Sequence, residues 1–233
     1  MRLELTLAIV LLIGSANAAN NITIAQSNAN YTSIQLAINS ARPGDVIDVN
    51  SGTYSENVVV TKNVTLRGHN TGGGLPEINA GGSGSAIIIT GNDTTIEGFN
   101  LTNSGHCGCG NAGISVQSSN NTILSNIIYK NKYGVYIRQG KNNTLMSNDF
   151  INNNITGYDS GGNHWNGTIQ PEGLQRLIQL ITGPVMSGNY YSDYDEPKEV
   201  CTDANNDGFC DMPMNITVGM SEDNHPVVRQ IHR

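Results

Sequence analysis

The feature that most constrains this chain is a phrase that it repeats. One copy runs through residues 113–126 and the next through 134–148. Each copy holds a glycine with alternating aliphatic residues, then a polar turn, Asn-Asn-Thr and a second aliphatic pair. Thr122 and Thr144 occupy the same place in the two copies and mark one period. Because strands this short bury no face alone, the units have to stack on one another. The sequence therefore predicts a solenoid of parallel strands, with its function on the outer faces or at the ends.

The polarity of the chain comes from turn-forming residues rather than from charge. Charged residues make up 13% of the chain, and the formal net charge is −7. Asparagine, glycine, threonine and serine supply the remaining polarity, and these residues favour turns. A nucleic-acid partner requires a basic stripe, which this acidic chain lacks, so we expect no nucleic-acid binding.

Residues 1–18 have the pattern of a secretory signal peptide. Arg2 precedes an apolar run over residues 5–13, and Ala16-Asn17-Ala18 supplies small residues for cleavage. The run is short for a membrane span, although a retained anchor is the alternative. We expect a secreted or cell-surface protein that begins near Ala19 and has no transmembrane span after cleavage.

The remainder of the chain divides into three parts. Residues 19–165 are predicted to form the solenoid, with a capping helix over residues 31–41 that Thr32 or Ser33 can cap. Residues 166–187 are predicted to form a second helical segment, because apolar residues recur at helical spacing between Pro171 and Gly183. This helix covers the end of the solenoid or binds a partner. Residues 188–233 form a C-terminal cap.

One turn of each predicted coil carries an Asn-x-Thr sequon. These turns are residues 63–65, 92–94, 120–122 and 142–144, so the interval between them is longer in the early coils than in the later ones. In an exported protein they can carry N-linked glycans, which would line one edge of the solenoid. The alternative is that asparagine and threonine simply make good turns. The candidate glycosylation sites are Asn63, Asn92, Asn120 and Asn142.

Two stretches give the chain a resemblance to a known family. The opening runs Ser33-Ile34-Gln35, Pro43-Gly44-Asp45 and Gly52-Thr53-Tyr54, and the close runs through residues 188–194 to Asp207-Gly208. Together they resemble the NosD-like family, exported surface proteins of archaeal type with a pectate-lyase-like fold. The resemblance implies an all-β, single-stranded, right-handed parallel β-helix with a short N-terminal capping helix and a C-terminal helix plus loop cap. The family name comes from a copper-enzyme accessory protein, a role that these residues do not carry over.

An Asp-rich loop follows the closing signature. Oxygen ligands stand at loop positions 1, 3, 5 and 9, and Gly208 at position 6 permits a sharp turn, as in half of an EF-hand. Met214 occupies position 12, where an EF-hand has glutamate. The spacing predicts a weak structural calcium site, whereas an Asx-rich turn without an ion is the alternative. The predicted ligands are Asp203, Asn205, Asp207 and Asp211.

The four cysteines allow three pairings, among which the sequence does not choose. Proximity favours Cys201 with Cys210, which leaves Cys107 and Cys109 as a local pair or a metal site. His106 with those two thiols is a candidate copper or zinc site, although only three ligands are visible. A second candidate for copper is a thioether set made of Met212, Met214, Met220 and His225.

Catalysis in a solenoid requires acidic groups that stack across neighbouring coils. The repeat places Arg67 beside Glu97, where an exposed ion pair is the expected result. It places Asp149 opposite Ile127 and Asp159 opposite Ile137, so no carboxylate pair is expected in the regular coils. Only loops could join Asp93, Glu97 and Asp159, and no catalytic residue is assigned.

The sequence thus favours a non-catalytic surface module that binds polysaccharide or envelope components. Its polar face and its tyrosines are suited to sugar hydroxyls and sugar rings, although packing at strand turns is the alternative for the tyrosines. A polysaccharide lyase or glycoside hydrolase is the first alternative function, and a copper-handling accessory protein is the second. The candidate tyrosines are Tyr129, Tyr133 and Tyr136 near the middle, and Tyr190, Tyr191 and Tyr194 near the end.

Overall fold

The structure is a computed structural model that describes residues 21–24, 31–169, 185–216 and 218–232. The predicted signal peptide and the predicted helix between Pro171 and Gly183 lie outside the described residues. The described residues on either side of that predicted helix form strands.

The chain winds through coils of three short strands each. Strand β1 (Asn21–Ile24) and helix α1 (Ile34–Ser40) come first. Five complete coils follow: β2 (Val46–Asn50), β3 (Thr53–Tyr54) and β4 (Val58–Val60); β5 (Thr65–His69), β6 (Glu77–Asn79) and β7 (Ile87–Ile89); β8 (Thr95–Glu97), β9 (Asn100–Thr102) and β10 (Ala112–Val116); β11 (Thr122–Leu124), β12 (Ile127–Tyr129) and β13 (Tyr133–Ile137); β14 (Thr144–Met146), β15 (Asp149–Ile151) and β16 (Ile155–Asp159). The C-terminal part holds β17 (Gly167–Ile169), β18 (Val185–Ser187), β19 (Tyr190–Tyr191), a 3-10 turn (Pro197–Glu199), β20 (Met214–Asn215), β21 (Val218–Gly219) and β22 (Glu222–Asp223).

Equivalent strands of successive coils pair in parallel and build three sheets. The first sheet is β1-β2-β5-β8-β11-β14, the second is β3-β6-β9-β12-β15-β19, and the third is β4-β7-β10-β13-β16-β21. Two antiparallel pairs, β17 with β18 and β20 with β22, lie outside these sheets. This is the right-handed parallel β-helix that the sequence predicted.

The predicted turn residues are in register in the coils of Thr65, Thr122 and Thr144, and they differ by one position in the coil between Thr65 and Thr122. Thr65, Thr95, Thr122 and Thr144 are in register, so the interval between coils shortens along the chain, as predicted. The prediction used Thr94 in place of Thr95. Thr94 is instead a buried corner residue whose hydroxyl donates to the carbonyl of Lys62 at 3.0 Å. Because Thr94 and Thr95 are adjacent, the sequence alone did not show which of them pairs with the neighbouring coils.

Helix α1 closes the N-terminal end of the solenoid, as predicted, although it is shorter than residues 31–41. The Ser33 hydroxyl caps it by accepting from the amide of Leu36 at 3.4 Å. The carboxylate of Glu56, from the first coil, accepts from the amides of Ile34 and Gln35 at 3.0 Å each. These bonds occupy helix-end donors that would otherwise be unpaired.

The interior changes from aliphatic to aromatic along the solenoid axis. Isoleucine, valine and leucine fill most of the coils up to β14, and Phe150, Trp165 and Tyr191 fill the C-terminal end. The ring centroid of Phe150 lies 5.3 Å from that of Tyr191 and 5.8 Å from that of Trp165. The indole nitrogen of Trp165 donates to the carboxylate of Asp159 at 2.9 Å. Large rings thus fill the end of the core, where the regular coils give way to the cap.

The corners between sheets combine a left-handed residue with a buried polar residue. Asn120 has a φ of 62° and precedes the buried Asn121, and Ser125 has a φ of 55° and precedes the buried Asn126. Left-handed backbone is rare outside glycine, and asparagine tolerates it best. The repeated Asn-Asn and Ser-Asn pairs therefore specify where the chain turns.

The buried asparagines stack into ladders that run along the solenoid. In one such ladder, the side-chain amide of Asn126 donates to Asn148 at 3.0 Å, and that of Asn148 donates to Asn189 at 2.9 Å. Asn189 then donates to the carboxylate of Asp223 at 3.2 Å. Because each amide satisfies buried groups of the neighbouring coil, much of the asparagine content is structural and is unavailable to sugars.

Candidate ligand-binding face

The third sheet carries a row of side chains that point away from the core. Ser115, Tyr136 and Tyr158 are in register on β10, β13 and β16. The rings of Tyr136 and Tyr158 stack with centroids 4.6 Å apart and planes inclined by 22°. Tyr133 meets Tyr136 edge to face at 5.1 Å. The result is an aromatic platform that is partly exposed on the outer surface.

A groove of about 170 Å³ runs beside the platform. It is smaller than typical pockets for drug-sized ligands, and its walls combine one ring with amide and guanidinium groups. Gly110 allows its loop, one wall of the groove, to lie close against the ring of Tyr136, because a Cβ atom at this position would lie 2.7 Å from that ring. The disulfide between Cys107 and Cys109 holds the loop that forms this wall. The lining residues are Cys109, Ser115, Gln117, Tyr136, Arg138 and Gln139.

The charge around the groove differs from that of the whole chain. Within residues 98–158 the only acidic residue is Asp149, which is fully buried. The same residues include four cations, and none of the four forms an ion pair within the described ranges. This surface is therefore locally positive on an acidic protein. The four cations are Lys130, Lys132, Arg138 and Lys141.

The structure brings only some of the candidate tyrosines together. Tyr133 and Tyr136 share the platform, whereas Tyr129 lies on the second sheet and donates to Glu77 at 2.6 Å. Burial, and then this hydrogen bond to Glu77, raises the pKa of Tyr129 to about 12. Tyr191 is fully buried, so packing, the alternative given for the tyrosines, applies to this ring.

The other tyrosines of the C-terminal group are engaged within the cap. The hydroxyl of Tyr190 donates to Asp195 at 2.5 Å, and that of Tyr194 donates to the carbonyl of Pro213 at 3.3 Å. Sequence reasoning missed Tyr158, which follows Tyr136 by one period, the same interval that separates Thr122 from Thr144. That spacing was the signal that could have identified it.

Two of the carboxylates weighed for catalysis have structural partners. Asp159 is buried and accepts from the amide of Gly161 at 2.8 Å, from Asn163 at 2.7 Å and from Trp165 at 2.9 Å. Glu97 lies 3.9 Å from Arg67, which confirms the predicted contact. Asp93 occupies an exposed corner with a φ of 57°.

The strongest partner of Arg67 is Asp48, which sequence reasoning missed. The guanidinium nitrogen lies 2.8 Å from the Asp48 carboxylate, and the His69 ring nitrogen lies 2.7 Å from the same oxygen. Burial alone would raise the pKa of Asp48, but the hydrogen bonds and charges of Arg67 and His69 lower it. The three residues form a charged cluster on the outer face of the first sheet.

The Asp-rich loop folds around its own backbone. Asp203 accepts from the amides of Asp207 at 3.0 Å and Gly208 at 3.1 Å, and the disulfide Cys201–Cys210 closes the loop. Asp211 accepts instead from Thr202 at 2.8 Å. Within the described ranges, no group of three or more His, Cys, Asp or Glu side chains could hold a metal ion. Calcium at this loop stays a prediction, and its ligands would have to exchange these hydrogen bonds for the ion.

The copper candidates do not form a donor set that fits copper. Cys107 and Cys109 are joined in a disulfide, and a disulfide offers no thiolate for a metal. His106 beside them is exposed. Met212 and Met220 are 52% and 89% exposed, while Met214 is buried. His225 packs edge to face on Phe209 at 5.8 Å. Copper binding by these groups stays a prediction for the reduced chain.

The four sequon asparagines lie at one corner of the solenoid, and all four are exposed. A sequon asparagine can directly precede a buried asparagine of a ladder, since Asn120 is exposed and Asn121 is buried. The side chains of Asn142 and Asn120 approach to 3.5 Å, as expected for adjacent coils. Their occupancy by glycans stays a prediction. The four positions are Asn63, Asn92, Asn120 and Asn142.

Comparisons with known proteins give the chain a family and a compartment. A cell surface glycoprotein of Methanothermus fervidus is 31% identical over 163 residues, which cover 69% of this chain and 22% of the relative. The chain therefore spans about a fifth of that relative's length. No solved structure matches the chain. In the part of the chain that the structure describes, no helix is long and apolar enough to cross a membrane.

The family match covers most of the sequence. Residues 13–196 match the family described as periplasmic copper-binding protein (NosD). The family and the surface relative both indicate an extracytoplasmic, cell-surface protein. The match includes the opening stretch and residues 188–194 of the closing stretch on which the resemblance was based. The chain belongs to the NosD family.

Proposed function

We propose that this surface β-helix protein is a non-catalytic module that binds polysaccharide on the outer face of its third sheet. The observation that carries the proposal is the stacked pair of Tyr136 and Tyr158, at 4.6 Å, beside a polar groove. The face of an aromatic ring is negative, so it attracts the weakly positive C–H groups of a sugar ring. Side-chain amides and hydroxyls in the groove can bond sugar hydroxyls as donors and acceptors.

The shape of the site also supports a glycan. The groove of about 170 Å³ lies on an open sheet, with room for one or two sugar units of a chain that extends beyond it. Gln117 and Gln139 are exposed at its edge. An open site of this kind suits a polymer that continues along the surface.

A copper-related role is the second candidate, favoured by the description of the family. Its donors would be His106, Cys107 and Cys109 after reduction of the disulfide. Titration of reduced and oxidised protein with Cu(I) separates the two functions. The copper role would be favoured if the reduced protein binds Cu(I) stoichiometrically and loses this binding when Cys107 and Cys109 are both changed to serine.

An array of immobilised polysaccharides, including mannan, xylan, galactan and polygalacturonate, tests the glycan proposal. Tyr136→Ala should weaken binding at least tenfold, because it removes the stacking surface and opens the groove. Tyr136→Phe should retain binding, because the ring is kept. Tyr129→Ala is the matched control, since Tyr129 is also half-buried but lies on another sheet.

The outcomes separate recognition from stability. Circular dichroism of each variant establishes that the β-helix is folded before its binding is compared. Equal loss of binding in Tyr129→Ala and Tyr136→Ala would argue against the platform. Binding that survives in Tyr136→Ala, or absence of binding to every polysaccharide, would overturn the proposal.

A further inference from the structure

We infer that the glycan bound at the tyrosine platform is anionic, with carboxylate or sulfate groups that Arg138 contacts. The inference rests on the proposed glycan-binding function and specifies the class of ligand. It starts from the uneven charge of the molecule. Overall the chain carries a formal charge of −7, yet the two acidic residues in the coils that carry the platform tyrosines, Asp149 and Asp159, are both buried.

Arg138 is the cation that lines the groove itself. It follows β13, the strand that carries Tyr136, and it is exposed beside Gln117 and Gln139. No described carboxylate forms an ion pair with it, in contrast to Arg67, which binds Asp48 at 2.8 Å. A guanidinium group matches the planar geometry of a carboxylate and also binds sulfate or phosphate oxygens. The groove therefore has an unused anion-binding group next to its aromatic surface.

Further cations extend the positive surface along the same strand. Lys132 directly precedes β13, and Lys141 lies at the corner that follows it. A strand of five residues spans about 17 Å, so cations stand at both ends of a path long enough for several sugar units. A neutral ligand would use none of these charges. An anionic polymer that lies along β13 would meet one at each end.

The opposite end of the molecule provides the contrast that makes this placement informative. Residues 185–232 contain nine acidic residues and only two lysine or arginine residues, Lys198 and Arg229. An anionic polymer would be repelled by the cap and attracted to the central coils, over distances up to the screening length that the salt concentration sets. The charge distribution therefore favours binding of an anionic polymer at the platform rather than at the cap. The acidic residues are Asp193, Asp195, Glu196, Glu199, Asp203, Asp207, Asp211, Glu222 and Asp223.

The test compares polymers that differ only in charge. Isothermal titration calorimetry measures binding of the full chain to polygalacturonate and its carboxyl-reduced neutral form, and to dextran sulfate and dextran. We expect the charged member of at least one pair to bind about tenfold tighter or more, which is about 1.4 kcal/mol. The pair that shows the difference identifies carboxylate or sulfate as the group recognised.

Two matched variants assign the effect to Arg138. Arg138→Gln should remove most of the preference for the charged polymer, because the guanidinium group is lost. Arg229→Gln makes the same change in net charge at a site in the cap, and it should leave the preference intact. Raising the salt concentration from about 50 to about 500 mM should weaken the anionic interaction of wild type more than that of Arg138→Gln.

The results distinguish the two levels of the proposal. Equal affinity for charged and neutral polymers, with loss in Tyr136→Ala, would overturn the anionic preference and leave the glycan site standing. Equal effects of Arg138→Gln and Arg229→Gln would also overturn it, because net charge alone would then be responsible. No binding to any of the four polymers would overturn both the site and its preference.

Discussion

The central coils and the C-terminal cap are stabilised in different ways. The coils from β8 to β16 repeat the same contacts, with aliphatic residues inside and buried amides at the corners. The cap, residues 185–232, has short strands, a disulfide and many individual hydrogen bonds that occur once. A repeat derives its stability from interfaces between neighbours, whereas a cap has to close the array with specific contacts.

A polar ladder crosses from the coils into the cap. Asn148, inside the coils, bonds to Asn189, and Asn189 bonds to Asp223 of the cap. The cap thus ends the ladder with a carboxylate in place of another amide. The cap therefore closes the array in two ways: it covers the apolar core, and it supplies the carboxylate of Asp223 as the last acceptor of the ladder.

Disrupting the ladder within the coils should have the largest effect. Asn148→Leu removes the acceptor for the buried amide of Asn126 and the donor to the carbonyls of Ile123 and Met146. Three groups lose a partner, at about 1–3 kcal/mol for each one left unpaired, so we expect a loss of at least about 3 kcal/mol. Urea denaturation measures the loss of unfolding free energy.

The control for this variant is Asn154→Leu, the same chemical change at an exposed corner. It should alter the free energy of unfolding by less than about 0.5 kcal/mol. Similar losses in the two variants would show that the ladder is no more important than any surface asparagine. The distinction drawn between repeated coils and cap would then lose its main support.

The ladders also show where prediction from sequence succeeds and where it stops. The alternation of Ile114, Val116 and the later repeats was sufficient to predict parallel stacking, because only stacked coils bury such short strands. The Asn-Asn pairs were recognised as turns. The sequence did not show that the second asparagine of each pair is buried, because amides suit a solvated turn and a buried ladder equally well.

The candidate site was predictable only in part, for a related reason. Tyr133 and Tyr136 were identified, and Tyr158 could have been found one period later. The exclusion of Tyr129 and Tyr191 required knowledge of which sheet each strand joins and of which rings fill the end of the core. The contact between Gly110 and the ring of Tyr136 depends on an outward loop whose path has no period.

Within the cap, loss of the disulfide should have the next largest effect. Cys201 and Cys210 are separated by 9 positions, and a closed loop of this size contributes about 2–3 kcal/mol through the entropy of the unfolded chain. The double variant Cys201→Ala/Cys210→Ala should lose that amount. Hydrogen exchange should show the lost protection within residues 185–232, while the coils remain protected. Equal loss of protection in the coils would show that coils and cap unfold as one unit.

The carboxylate that ends the ladder should make stability depend on pH. Burial raises the pKa of Asp223, although hydrogen bonds from the amides of His225 and Asn189 oppose this. The folded state therefore favours the protonated form. Its stabilising contribution is complete below the unfolded pKa of about 3.9 and is lost as pH rises through the raised folded value.

Asp223→Asn should remove this contribution, since an amide does not titrate. The free energy of unfolding of wild type minus that of the variant should fall as pH rises from 3 to 8. This difference is measured by urea denaturation at each pH, and contributions from Asp48 and Asp149, present in both proteins, cancel. We expect an effect smaller than loss of the disulfide. A difference that is constant or rises with pH would contradict the assignment.

Calcium should give the smallest effect, and it would separate the two regions further by stabilising the cap alone. A site with a dissociation constant of about 10⁻⁴ to 10⁻³ M adds about 0.4–1.4 kcal/mol at about 1 mM calcium. The rise in melting temperature should disappear in Asp203→Asn, and mass spectrometry of protein purified without chelator should find about one calcium ion per chain. Magnesium at the same concentration is the ionic-strength control. If both ions act equally, or if Asp203→Asn responds like wild type, the loop is an Asx-rich turn closed by its disulfide, and the cap is stabilised without an ion.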